Sequence, residues 1–173
     1  MLDDAAIERF SRQILLPEVG GRGQERLCAT VATLRGDGDA AAFAATLLHA
    51  AGVRVVVEPG APDRLEASLD GATVIGASGD ARAVVATLVG HPCVRCVPAT
   101  TWPARGTGAG RPADPQTASQ TLGALVAAET LRAALGLARE GRVQEVDLAH
   151  GAFATRPLPA TAPCPDCPPA PGA

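Results

Sequence analysis

Ala29-Thr30-Val31-Ala32-Thr33-Leu34-Arg35-Gly36-Asp37-Gly38-Asp39 passes from an apolar segment into a glycine-rich turn, and the fold is read outward from it. Residues 29–34 are short and apolar, which predicts a buried strand. Beyond the turn, Ala40 to Ala51 has helical composition, and Val53-Arg54-Val55-Val56-Val57 reads as a second strand. A strand, glycine turn, helix and strand in succession predict a parallel, right-handed unit. On the N-terminal side, Asp3 and Asp4 are candidate helix caps, and Ile7, Phe10, Ile14 and Leu15 recur at helical spacing until Pro17 and Gly20-Gly21 break the pattern. A second helical turn ends near Leu27. On the C-terminal side the reading gives a loop at Pro59 to Pro62, a short helix at Leu65 to Leu69, a third strand at Ala72 to Ala77 and another helix at Ala81 to Val89. A Gly, Pro and Ala-rich loop from Pro98 to Pro115 precedes a long helix, Thr117 to Leu137. Val143 to Leu148 and Ala152 to Pro157, joined at His150-Gly151, read as a hairpin. The expected architecture is therefore α/β, a mainly parallel sheet with a C-terminal hairpin, in one domain over residues 1–167 followed by a Pro-rich disordered tail over 168–173.

The composition narrows the chemistry. The chain has 173 residues, 47% of them apolar, but aromatics are only 2%, so its core is built from Ala, Val and Leu. All fifteen Lys+Arg residues are Arg, which leaves no amine for a Schiff base and assigns any phosphate contact to guanidiniums or backbone amides. A net charge of −3 and the shortage of stacking side chains argue against a nucleic-acid-binding surface. Met1-Leu2-Asp3-Asp4 has neither the positive region nor the apolar run of a signal peptide, and Leu122 to Leu137, interrupted by Glu129 and Arg132, is too short to span a bilayer. The expected location is the cytoplasm, with no membrane partner.

Five cysteines divide into Cys28 alone and two C-x-x-C pairs, Cys93/Cys96 and Cys164/Cys167. Two intervening residues let both sulfurs of a pair face one point, so two such knuckles predict a tetrahedral structural zinc. Sixty-seven residues separate the pairs, so the metal would staple the tail to a distant loop. A redox role for one pair is the alternative, but Pro168, Pro169 and Pro171 deny Cys164-Pro165-Asp166-Cys167 the helix N-terminus that lowers a reactive thiol's pKa. Disulfides or free thiols are a further reading, at odds with the expected compartment. Cys28 reads as a small buried apolar side chain.

Gly36-x-Gly38-x-x-Ala41 between strand and helix, with Glu58 ending the next strand, fits a nucleotide-binding turn: amides and the helix N-terminus for phosphates, Glu58 for ribose hydroxyls. Asp37 and Asp39 place two negative charges where a polyphosphate would lie. A strand-to-helix turn without ligand explains the same residues. His49, His91 and His150 show no triad or metal-ligand spacing.

Three stretches carry a resemblance. Glu8-Arg9-Phe10-Ser11-Arg12-Gln13-Ile14-Leu15-Leu16-Pro17-Glu18-Val19-Gly20, continuing through Gly23-Gln24-Glu25-Arg26-Leu27, resembles the opening of the ThiF/MoeB/HesA adenylyltransferases, relatives of the ubiquitin-activating enzymes. The glycine turn with Ala50-Ala51-Gly52-Val53 resembles that family's nucleotide loop, and His91-Pro92-Cys93-Val94-Arg95-Cys96, the helix around Ala118 to Leu137 and Cys164-Pro165-Asp166-Cys167 resemble its zinc-binding end. The resemblance implies a shortened Rossmann-like fold, a zinc on Cys93, Cys96, Cys164 and Cys167, and adenylation of the C-terminal glycine of a ubiquitin-like sulfur carrier with ATP. It further implies that Arg12 reaches the ATP phosphates of a partner subunit, that Gly36 and Gly38 line the nucleotide loop, and that Glu58 takes the ribose position.

The family's long middle segment, with its Ser-Asn-Leu-x-Arg-Gln-like motif and phosphate-binding Lys, is missing between Glu58 and Cys93. Val74-Ile75-Gly76-Ala77-Ser78-Gly79-Asp80 resembles the family's Val-Val-Asp-Ala-Ser-Asp-Asn, with Gly79 where the magnesium-binding Asp belongs; Asp80 fits only after a one-residue shift. Adenylation needs magnesium and fixed cations around the α-phosphate. The expected function is thus a degenerate homologue that binds or scaffolds in a sulfur-carrier pathway, with ATP and magnesium in doubt. The alternative is an active minimal adenylyltransferase completed by a partner, and a redox C-x-x-C protein is the third reading. The expected partners are the carrier, a full-length relative or a second copy, the dimer forming through the N-terminal segment and the long C-terminal helix.

Overall fold

The computed structural model describes residues 1–61, 64–79, 81–90, 93–103 and 114–158. Asp80, His91, Cys164, Cys167 and the Pro-rich tail lie outside the described residues. Three helices, α1 (Asp4–Arg9), α2 (Ser11–Ile14) and α3 (Gly20–Ala29), precede strand β1 (Val31–Arg35), helix α4 (Gly38–Ala50) and strand β2 (Arg54–Glu58). Then come β3 (Arg64–Leu69), β4 (Ala72–Ser78), β5 (Arg82–Val89), two single 3₁₀ turns, helix α5 (Pro115–Ala134), β6 (Arg142–Asp147) and β7 (Ala152–Pro157).

The seven strands form one sheet in the order β2-β1-β3-β4-β5-β6-β7. Only β1 and β2 are parallel, matched from Val31 with Arg54 to Arg35 with Glu58; every other neighbouring pair is antiparallel. The expected mainly parallel sheet is therefore corrected to a mixed, mostly antiparallel one. The cause is the connection after β2. A parallel return needs a crossover of a dozen residues or more. Five residues separate Glu58 from Arg64, enough only to step over the end of β1, roughly 10 Å across two strand spacings, and run back beside it.

Two predicted helices are strands for related reasons. In β3, Leu65 and Ala67 are buried under the helices while Arg64, Glu66 and Ser68 alternate to the other face, a period of two that five residues of helix cannot be told from by composition alone. In β5, Ala83 to Leu88 is buried throughout, as a central strand covered on both faces must be. Asp70-Gly71, with Gly71 at φ +74°, closes the β3–β4 hairpin, and this Asp-Gly pair between apolar runs is the sequence signal for it.

Helices α4 and α5 lie side by side on one face. Ala44, Leu48, Leu122 and Val126 close over Leu34, Leu65, Val74 and Val85. Gly123 permits the approach, since a Cβ there would stand 2.6 Å from the Ala40 carbonyl oxygen. Asp114 caps α5 by accepting from the Thr117 amide at 2.9 Å, with Pro115 in the first turn. On the opposite face Val94, Val97, Trp102 and Leu158 cover the β4–β6 half, and Val31 and Val56 remain exposed on the β1–β2 half.

The N-terminal stripe divides. Phe10 is 5% exposed, whereas Ile7 is 48% and Leu15 81% exposed. Phe10 packs at Gly52, where a Cβ would meet its Cζ at 3.0 Å, and the Gln24 amide donates to the Ala51 carbonyl at 2.9 Å beside it. Phe10 therefore fastens the N-terminal helices to the turn before β2, within the chain. Phe10→Ala is expected to lower folding stability by about 3 kcal/mol, the cost of a cavity under a truncated aromatic. Thermal denaturation reads this, and sedimentation below the lowered midpoint should show the association state of the wild type. Cys28, expected to be buried, is exposed.

Candidate functional site

Because β3, β5 and β7 run opposite to the other strands, the C-terminal ends of β1, β2, β4 and β6 share one edge of the sheet. The glycine turn lies there. Gly38, at φ +74°, starts α4, and Asp37 occupies the cap position without a side-chain bond to the helix. The Gly36 amide donates to the Glu58 carbonyl at 3.1 Å, so this donor is already satisfied within the chain. Gly36 is enclosed: a Cβ on it would meet Leu65 Cδ1 at 2.9 Å and the Arg64 carbonyl at 3.1 Å. From above, Gly60 approaches so closely that a Cβ there would lie 2.6 Å from the Gly36 nitrogen. The chain's own step from β2 to β3 thus lies across the crevice where a doubly wound sheet holds a pyrophosphate.

Glu58 does not point free toward a ribose. Its carboxylate accepts from Arg35 Nη2 at 2.8 Å, and this pair, with Glu66 on the neighbouring strand, raises the Arg35 pKa above its ordinary value. Gly79 follows β4 on the same edge, its amide donating to the Arg82 carbonyl at 2.8 Å in the turn to β5. Asp80, the shifted candidate for magnesium, is outside the described residues. Val74 to Ser78 belongs to a strand paired antiparallel on both sides, so the third strand, expected in a mainly parallel sheet, has no parallel neighbour. Arg12 is exposed on α2, whose neighbouring Gln13 donates its amide to the Ala50 carbonyl at 3.5 Å, at the turn that precedes β2. A five-residue strand separates that end from Gly36 by about 16 Å, so Arg12 and the glycine turn of one chain do not form a common site.

The second locus is the first cysteine knuckle. Cys93 and Cys96 flank a 3₁₀ turn whose Cys96 amide donates to the Cys93 carbonyl at 2.9 Å, and their sulfurs stand 3.8 Å apart. A disulfide would require about 2.05 Å. With zinc–sulfur bonds of about 2.3 Å, the edge of a regular tetrahedron is about 3.8 Å, so these two sulfurs fit one edge of a zinc site. Val94 and Val97 anchor the knuckle on Ile75 and Leu88, and Cys96 is buried. Cys164 and Cys167, the expected other edge, are outside the described residues; among the described residues no three or more His, Cys, Asp or Glu cluster as metal ligands.

A third feature has no counterpart in the sequence expectations. Glu129 of α5 is 1% exposed, accepts from Arg142 Nε at 2.9 Å and Thr87 Oγ1 at 2.6 Å, and receives a second Arg142 bond from Nη2. Arg132 Nη1 adds contacts at 3.4 Å. Its pKa is lowered: burial pushes it up, and the bonds from Arg142 and Thr87 and the charges of Arg142 and Arg132 outweigh that. The signal in the sequence was the break that Glu129 and Arg132 make in the apolar run of α5. His150 pairs with Asp147, whose carboxylate also accepts from the Ala149 and His150 amides, an Asx turn that closes the β6–β7 hairpin.

In comparisons with known proteins, no family model matches the chain, nor does any curated protein. Among the described residues no helix is long and apolar enough to cross a membrane.

Proposed function

We propose that the chain is a non-catalytic relative of the ThiF/MoeB/HesA adenylyltransferases, acting as a binding or scaffold subunit in a sulfur-carrier pathway. The observation that carries the loss of catalysis is the covered glycine turn. Its first amide is bonded to Glu58, its floor is closed by Leu65, its roof is Gly60, and its flanks carry Asp37 and Asp39. The chain has no lysine, and Arg35 beside the turn is paired with Glu58, so among the described residues this guanidinium is not left to stabilise a transferring α-phosphate. The family half of the reading rests on the N-terminal motif and the paired C-x-x-C motifs. The sulfur separation in the first knuckle supports its zinc.

In this reading Arg12 acts, if at all, in the site of another subunit, and the exposed Ile7, Leu15 and Leu16 form the surface that seats a full-length relative or a second copy. Calorimetry of the full chain with Mg-ATP is expected to show no binding up to millimolar nucleotide, and pyrophosphate exchange into ATP should be absent with a ubiquitin-like carrier present. Micromolar binding of Mg-ATP or carrier-dependent exchange overturns the proposal in favour of the minimal active enzyme.

A further inference from the structure

Strand β2 is an edge of the sheet, and beyond it no strand is paired among the described residues. The Arg54 amide donates to the Thr30 carbonyl at 3.1 Å and the Glu58 carbonyl accepts from the Gly36 amide at 3.1 Å, so residues 54, 56 and 58 turn their backbone groups to β1. Val55 and Val57 turn theirs outward. A doubly wound sheet places a further strand beyond this one, in the order 3-2-1, but here β3 pairs with β1 instead. The side chains are unfinished too: Val56 is 45% exposed on the open face, and Val57 is 56% exposed on the helix face, where Val55 packs against the core. An edge of consecutive apolar residues is a template for another strand.

We infer that a second copy of this chain pairs its own β2 antiparallel to this edge, about a twofold axis at Val56, and joins the two sheets into one. Arg54-Val55-Val56-Val57-Glu58 is complementary to its own reverse. With Val56 on the axis, Val55 lies opposite the partner's Val57, and these outward-facing residues exchange both of their N–H···O bonds on each side of the axis. Arg54 then lies opposite the partner's Glu58 in a pair of the close, non-hydrogen-bonded kind, where opposite charges attract most. Arg54 is exposed and makes no ion pair with another described residue. Glu58 uses Oε2 for Arg35 at 2.8 Å, which leaves Oε1 for the partner's Arg54. The same register covers the exposed valines, Val57 by the partner's Val55 on the helix face and Val56 by the partner's Val56 on the open face.

The charges select this register over its neighbours. A slip of two residues either way keeps outward-facing groups together but sets Arg54 or Glu58 against the partner's Val56. Pro59, at the next outward position, has no N–H and ends the edge. The other edge of the sheet lacks these features. The Leu158 amide donates to the Gly141 carbonyl at 3.0 Å, so β7 turns the backbone of Phe153, Thr155 and Pro157 outward. Pro157 removes a donor there, and β7 holds no carboxylate to meet Arg156. Pairing of β2 with itself is isologous, so it closes in a dimer and does not propagate. Two five-residue strands bury less than a standard interface, which makes the dimer weak and dependent on concentration.

The inference does not rest on the proposed function, because the surface at Ile7, Leu15 and Leu16 belongs to other elements and either surface can fail alone. The test is sedimentation and hydrogen exchange of the full chain at micromolar and near-millimolar concentration, on wild type, Arg54→Glu, Glu58→Arg and an equimolar mixture of the two variants. Wild type is expected to pass from monomer toward dimer, with the Val55 and Val57 amides gaining protection in the concentrated sample. Each variant alone sets like charges opposite one another and should weaken dimerisation at least about tenfold, while the mixture restores opposite charges across the axis and recovers it. Both substitutions replace solvent-accessible side chains, so the thermal midpoints of dilute samples should stay close to wild type. A wild type that remains monomeric when concentrated, association that neither variant weakens, or a mixture that associates no better than its components overturns the proposal. Association indifferent to both variants but lost in Leu15→Ser would assign the dimer contact to the N-terminal helices instead.

Discussion

One equivalent of zinc per chain is expected in metal analysis of reduced protein, and Cys93→Ser or Cys164→Ser should remove it. The two sulfurs in the described knuckle already stand at the spacing of a zinc tetrahedron's edge, so binding there requires little rearrangement of Cys93 and Cys96. Structural zinc supplies folding free energy directly, with apparent values of about 10–16 kcal/mol in small zinc domains. This chain has a core of its own in the sheet and two helices, so only part of such an amount should appear as lost stability. A loss of about 5 kcal/mol corresponds to a fall of roughly 10–20 °C in midpoint for a chain of this size. Chelator should reproduce the fall in wild type and have no effect on either variant. A zinc-free, reduced protein that unfolds at the same temperature as one given zinc would show that the two C-x-x-C motifs serve another purpose, with redox exchange then the reading to test.

Glu129→Ala should destabilise the fold by about 3–5 kcal/mol, because it leaves Arg142 and Arg132 half-buried without their counter-ion and Thr87 without its acceptor. Removing both charged partners is a different matter. Glu129→Leu combined with Arg142→Leu should recover most of the loss, since the pair itself contributes little beyond what packing would supply. A double-mutant cycle in thermal or urea unfolding separates the two cases. The same carboxylate predicts a pH dependence. Its folded pKa lies below the ordinary 4.5, so the unfolded chain takes up the proton first. Stability from Glu129 is therefore complete above pH 4.5 and is lost as pH falls through the lower, folded value. Glu129→Leu in the double variant should flatten this part of the acid-unfolding profile. An equally steep profile in wild type and double variant would assign the acid sensitivity to other carboxylates.

How far the fold was legible differs from element to element. The unit β1, α4, β2 followed from the glycine turn and the two apolar runs, because a parallel pair joined by a helix is specified by local pattern and handedness alone. The β6–β7 hairpin and α5 followed in the same way, one from two strand-like runs joined at His150-Gly151, the other from the helical periodicity of Thr117 to Leu137, although α5 starts earlier, at Pro115, and ends at Ala134. Leu65 to Leu69 and Ala81 to Val89 were misread because runs of this length satisfy both periods, and what makes them strands is the neighbours they pair with. Cys28 was misread for a similar reason: its residue type favours burial, but its place near the end of α3 leaves it at the surface.

The candidate site shows the same division. The amino-acid sequence by itself determined the chemical inventory: no lysine, two C-x-x-C pairs and a glycine turn flanked by Asp37 and Asp39. Composition and covalent distance fix these whatever the chain's shape. Only the tertiary structure decided what each can reach. It laid Gly60 over Gly36, tied Glu58 to Arg35, turned Phe10 into the chain's own interior and joined Glu129 of α5 to Arg142 of β6. Those outcomes depend on strand order, and strand order is set by which distant segments bury apolar surface against one another, a property no local window of residues contains.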